Sequence, residues 1–214
     1  MVKEDNYMKM LFGKRQTPPT QIMWSWLGAF LGIVLVSGIT QFVLQGVGLS
    51  LVIGSFGASA VLIYAAIDSP LAQPRNLLGG HVLSALVGVS AFQLFPGQVW
   101  IAAPVAVATA IALMQMTDTL HPPGGATALI AVIGGPGIHG LGYGYAVFPV
   151  ATGSLLLLGV ALVVNRIAPG RNYPFRPARH EEDSEENSPL FAPGRDGRIL
   201  LPDMMYSGQQ DDQG

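Results

Sequence analysis

"TDTLHPPGGATALIAV", Thr117 to Val132, sets an acid, a histidine, two prolines and two glycines directly before an apolar run. Pro122 and Pro123 lack the N–H that a helix continuing from Leu120 would need, and they disfavour helical geometry in the residue before them. Proline is welcome in a first helical turn. The stretch therefore predicts extended backbone from Thr117 to His121 and a helix starting around Pro123 or Gly124. From there to Ile133 the helix would be about 15 Å long, half of a bilayer's hydrocarbon core.

The surroundings make that core a membrane. The 214 residues are 50% hydrophobic and 11% charged, where a soluble domain carries roughly 25% charge. Between Gln16 and Asn165 only Asp68, Arg75 and Asp118 are charged. Lipid is the partner such a stretch requires; no nucleic acid is expected. The chain has no cysteine, which excludes disulfides and thiolate metal sites. The first apolar run has no small-residue cleavage site and reads as a retained helix.

Six apolar segments follow: Ile22 to Leu44, Leu49 to Ile67, Leu77 to Phe95, Val99 to Met116, Gly124 to Ile138 and Tyr143 to Ile167. The first, third, fourth and sixth are long enough to cross as plain helices. The second and fifth are short and interrupted by glycine. Residues 1–21 form an N-terminal tail, 22–167 the membrane domain, and 168–214 a polar, acidic, Pro/Gly-rich tail of disordered composition. If all six segments cross, every Lys and Arg falls on one side, which the positive-inside rule makes the cytoplasm of an inner-membrane protein with both termini inside.

"GASAVLI" at Gly57 to Ile63 recurs as "GATALIA" at Gly125 to Ala131. The chain thus reads as an all-α membrane protein of two inverted three-segment repeats, about 22–96 and 98–167. It has four full transmembrane helices plus two broken or half-helical segments. In such plans the discontinuous helices mark the substrate site. By analogy with the opening stretch, extended backbone is expected through Gly54 to Phe56 and a half-helix from Gly57. Two helix N-termini would then face one point near the midplane. Each offers free N–H groups and the positive end of a helix dipole to an anion. Gly57, Gly124 and Gly125 would let the ion approach the backbone, and Ser55, Ser59 and Thr127 would add hydroxyl donors. His121 and His81 are intramembrane ionisable residues and so functional candidates. No Lys or Arg enters the core, which argues against a multiply charged substrate. Asp68, Arg75, Asn76, Asp118, Pro122 and Pro123 read as structural, with an Asp–Arg clamp on the Ala72 to Asn76 loop. Gly28 and Gly32 form a GxxxG pair that serves packing within the subunit or between copies in a homo-oligomer.

"GSFGASAVL" (Gly54 to Leu62), "SPLAQPRN" (Ser69 to Asn76), "GGH" (Gly79 to His81) and "TLHPPGGATAL" (Thr119 to Leu129) together resemble the HPP family of integral membrane proteins. The resemblance implies a domain with four membrane spans. It also implies nitrite transport, with which cyanobacterial and plastid-envelope members are associated. The expectation is a channel or carrier for a small monovalent anion, nitrite first, with no metal or other cofactor and no enzymatic activity. The alternatives are a transporter of another small solute with His121 and His81 as a proton relay, and a non-transporting structural protein.

Overall fold

A computed structural model describes residues 17–44 and 49–175. The basic residues Lys3, Lys9, Lys14 and Arg15, most of the Gln45 to Ser50 turn and the acidic run after residue 180 lie outside the described residues. The described chain is helical: α1 (Pro19–Leu44), α2 (Leu49–Ala65), a 3-10 turn (Pro70–Ala72), α3 (Pro74–Leu94), α4 (Val99–Met116), α5 (Pro122–Ile133), α6 (Gly135–Leu141), a π turn (Ala146–Ala151) and α7 (Thr152–Ile167). Four stretches are long and apolar enough to cross a membrane: Pro19–Ile39, Pro74–Leu94, Val99–Met116 and Ala146–Ile167. Helices α5 and α6 form one apolar pair bent by 101°, turning at Gly135, whose φ of +75° suits glycine.

Two expectations change here. α2 is helical from Leu49 straight through Gly54, Phe56 and Gly57, so no half-helix begins at Gly57. Glycine inside a helix costs only about 1 kcal/mol and removes no donor; without proline the helix does not stop. The sixth segment is not a plain helix. Phe148 is extended (φ −131°, ψ 123°), and the chain kinks before α7.

α3 is the central element and packs against α4, α5, α7 and the π turn, while α1 packs on α2 and α7. Small residues set these distances. α4 buries Ala102, Ala106, Ala110 and Met114, one residue per turn, giving a narrow face for close approach. A Cβ on Gly88 of α3 would run into the Ala128 carbonyl oxygen of α5. The GxxxG pair of α1 faces inward: a Cβ on Gly28 would lie 2.6 Å from Tyr64 Cδ1, and one on Gly32 would strike the Tyr64 hydroxyl. Tyr64 lies in that groove and donates to the Leu157 carbonyl of α7 at 2.9 Å. The pair therefore serves packing within the subunit. The large apolar side chains left exposed, among them Ile22, Trp26, Phe30, Trp100, Ile111 and Leu155, are where lipid belongs.

The membrane unit also runs past Ile167, where the polar tail was expected to begin. Arg171 reaches back to donate to Gln21 Oε1 (2.7 Å) and Gln21 O (2.6 Å), Ser25 Oγ (2.7 Å), Tyr64 O (3.0 Å) and Asn165 Oδ1 (2.9 Å). One guanidinium thus ties the start of α1, the end of α2 and the end of α7. Tyr173 donates to Ala72 O at 2.9 Å, and burial raises its phenol above the usual range, which keeps it a donor.

Candidate functional site

The Arg75 to Asn76 and Thr117 to Leu120 stretches are laced together at the end of the molecule where Arg171 sits. Arg75 donates to Thr117 O at 2.7 Å and lies 3.9 Å from the Asp118 carboxylate, both side chains being exposed. Asn76 donates to Leu120 O at 2.9 Å. The clamp therefore pairs Arg75 with Asp118, which sits at φ +52°, and not with Asp68. Asp68 is exposed and lies near enough to influence Arg171 electrostatically.

From this anchored loop the chain turns inward. His121 is extended (φ −138°, ψ 104°) and caps α5, which starts at Pro122, as the two prolines require. Glycines let α3 receive it. A Cβ on Gly79 would press on Thr119 at 2.6 Å. One on Gly80 would meet His121 Cβ at 2.6 Å and Thr119 O at 2.8 Å. The "GGH" motif is thus a flat seat for the His-Pro-Pro stretch, and it brings two imidazoles together. His81 and His121 are both fully buried, their ring centres 5.0 Å apart at 61°.

Two hydroxyls join them. Ser59 Oγ lies 2.7 Å from His81 Nε2 and 2.9 Å from His121 Nε2. Thr127 Oγ1 lies 2.7 Å from His81 Nδ1. His121 Nδ1 lies 2.8 Å from the Leu71 carbonyl. Ser59 and Thr127 are fully buried too. They are equivalent positions of the recurring sequence, "GAS" in α2 and "GAT" in α5, and they grip opposite nitrogens of one ring.

The hydrogens follow from the acceptors. A carbonyl only accepts, so His121 carries its proton on Nδ1 and donates to Leu71 O. Its Nε2 then accepts from Ser59. With that hydrogen spent, Ser59 Oγ accepts from His81 Nε2–H, and His81 Nδ1 accepts from Thr127. With both imidazoles neutral, the result is one directed chain, Thr127 to His81 to Ser59 to His121 to Leu71, and the two rings are of opposite tautomer. No buried side-chain nitrogen or oxygen among the described residues lacks a partner. By helical rise the group lies about 10 Å inside the anchored end.

The other sequence candidates are placed as follows. Ser55 is buried one turn before Ser59 in α2, and its carbonyl lies 3.2 Å from Ser59 Oγ. A Cβ on Gly124 would meet Ser84 Oγ at 2.8 Å and Gly80 O at 2.9 Å, so that glycine serves the α3–α5 contact. Gly125 has only Val107 Cγ1 near, at 3.9 Å, and Gly57 has nothing within 4 Å; neither lines a shared point. The start of α5 is also poor in donors. Its first two residues are prolines, and Gly124 N–H is bonded to His121 O at 2.8 Å. The geometry of two facing helix starts is not made. Sequence reading missed the Leu71 carbonyl, which orients His121, and Tyr145, fully buried, whose hydroxyl donates to Thr127 O at 3.3 Å. "SPLAQPRN" marked the first region; nothing in the sequence marked the second. Among the described residues no group of three or more His, Cys, Asp or Glu is placed to hold a metal.

The fold and this centre define a multi-pass α-helical membrane protein with a buried, uncharged polar core. The profile of the HPP transmembrane region matches residues 14–174, and the chain belongs to that family. It is 43% identical over 169 residues to one transmembrane protein of Dictyostelium discoideum, covering 76% of this chain and 59% of that protein. To a second from the same organism it is 43% identical over 175 residues, covering 78% of this chain and 56% of that one. The matched region is thus less than two thirds of each relative. No solved structure matches the chain.

Proposed function

We propose that the protein carries a small monovalent anion across the inner membrane, with nitrite the first candidate, through a pathway that passes the Ser59–His81–His121–Thr127 centre. The observation that supports this reading is the centre itself. Four polar side chains from α2, α3, the His-Pro-Pro stretch and α5 meet in a membrane domain whose four charged residues between 22 and 167, Asp68, Arg75, Asp118 and Arg166, stay at the exposed surface. Intramembrane polar groups are costly and are retained where they serve a pathway. The absence of Lys and Arg from the centre suits an ion of single charge that must also leave. The expected orientation places both chain ends in the cytoplasm, since the basic residues gather there. The test is flux into liposomes containing the purified protein, with nitrite, nitrate, formate and chloride compared against protein-free vesicles. Nitrite uptake above the vesicle background is expected; no uptake of any of the four overturns the reading.

That every buried side-chain nitrogen and oxygen among the described residues has a partner favours a second reading, a polar clasp that only fastens α2, α3 and α5. Under it, His121→Ala lowers stability and no ion crosses in the parent protein.

A further inference from the structure

We infer that the four-residue chain is a proton-binding relay that takes up one proton for each anion carried, so that the pair crosses without net charge. This rests on the transport reading above. The feature that carries it is that each hydroxyl touching an imidazole nitrogen also has a backbone acceptor in reach. Ser59 Oγ lies 3.2 Å from Ser55 O, and Thr127 Oγ1 lies 3.4 Å from Pro123 O. Both carbonyls sit four residues back in the hydroxyl's own helix.

Consider a proton, drawn from water on the side where the anion enters, bound at His121 Nε2. Ser59 turns its hydrogen to Ser55 O, and its two lone pairs then accept N–H from both rings. A proton bound instead at His81 Nδ1 turns Thr127 to Pro123 O, and Thr127 Oγ1 accepts from the ring. The second form passes its charge on through Ser59. His81 Nε2 gives its hydrogen to Ser59 Oγ as Ser59 gives its own to His121 Nε2, which leaves His81 protonated on Nδ1 alone, its Nε2 now accepting from Ser59. One N–H and one O–H break, and one of each forms. Every donor keeps an acceptor in the neutral form and in all three charged forms. Such i−4 carbonyls are within reach of helical hydroxyls elsewhere in the chain, Ser90 and Ser154 among them; at Ser59 and Thr127 the same hydroxyls also meet imidazole nitrogens.

The capacity is one proton. Two imidazolium rings with centres 5.0 Å apart repel strongly. The groups facing the pair are Phe56, whose ring edge meets His81 at 5.3 Å, Ser59 on α2, Thr127 on α5, and Tyr145, a neutral donor to Thr127 O. The charged residues nearest in sequence, Asp68, Arg75 and Asp118, are exposed. A single positive charge here therefore has no carboxylate beside it, and a buried unpaired charge is costly. A monovalent anion supplies the missing partner, which couples the two bindings.

Two measurements decide this. The chain holds four histidines, so histidine-selective nitrogen-15 NMR of the intact protein in lipid resolves them. His81 is expected protonated on Nε2 and His121 on Nδ1; the same tautomer in both rings overturns the relay. In liposomes holding a pH dye, nitrite uptake is expected to acidify the lumen by one proton per anion and to ignore an imposed potassium–valinomycin potential. Ser59→Ala is expected to lower coupled flux on the order of 100-fold, and Ser59→Thr to restore it. Nitrite flux that follows the potential without acidification, or an unchanged coupled flux in Ser59→Ala, overturns the coupling and leaves the transport reading standing. Absence of any anion flux removes the transport reading instead, whatever the tautomers.

Discussion

Gly80 and Gly28 show what a missing side chain does in this molecule. At Gly80 a methyl group would push directly on His121 Cβ and the Thr119 carbonyl. Backbone cannot yield cheaply, so Gly80→Ala is expected to cost about 1–3 kcal/mol and to part the two imidazoles. Its measurable signs are a lower thermal midpoint in detergent and loss of the His81 and His121 NMR signature. At Gly28 the obstacle is the Tyr64 ring, itself pinned to Leu157 O. Gly28→Ala is therefore expected to destabilise by a similar amount, not to be silent as a lipid-facing glycine would be. From the sequence, Gly28 and Gly32 were visible as a close-contact pair. Their partner was not, because a tyrosine in another segment leaves no local pattern.

Proline in a first turn decides where α5 starts, although Pro104 lies inside α4 without ending it. "GSFGASA" and "HPPGGATA" read alike in composition, yet only the second begins a helix. Proline removes the N–H and the geometry; glycine removes neither. The four long spans and the start of α5 were therefore legible, since they follow from hydropathy and proline. The residues of the polar centre were legible as types, because ionisable groups stand out in apolar sequence. Their mutual bonding was not, since it depends on how close Gly79, Gly80 and Gly88 allow the helices to come. Gly57 has free space and sits inside α2, so Gly57→Ala is expected to stabilise by roughly 0.5–1 kcal/mol and leave flux unchanged. A scanning calorimetry shift upward with normal uptake checks this. Gly88→Ala, against the Ala128 carbonyl, is expected to do the reverse.

Across the whole molecule one end is fastened by hydrogen bonds that reach between the first and last segments. Gln21, Tyr64, Ala72 and Thr117 are all tied there, directly by Arg171 and Tyr173 or through Arg75. The chain has no native cysteine, so single cysteines report sidedness directly. Cysteines replacing Asp68 and Asn172 are expected to react with an impermeant thiol reagent from the same side, and one replacing Gln98 from the other. Labelling of the Asp68 and Asn172 positions from opposite sides contradicts the shared end.

Synthesis gives the Arg171 clasp a further meaning. Gln21 and Arg171 are 150 positions apart, so the ribosome delivers the fastener only after the last span has been made. Until then the facing ends of α1 and α2 are joined by the Ser25 hydroxyl, 2.8 Å from Tyr64 O, without the guanidinium that adds Asn165 of α7 to the tie. A nascent protein stalled at Ile167 holds every hydrophobic segment yet lacks its lock. Such a chain is expected to insert normally but to be cut by protease near Ile67, where a chain ending at Phe175 resists.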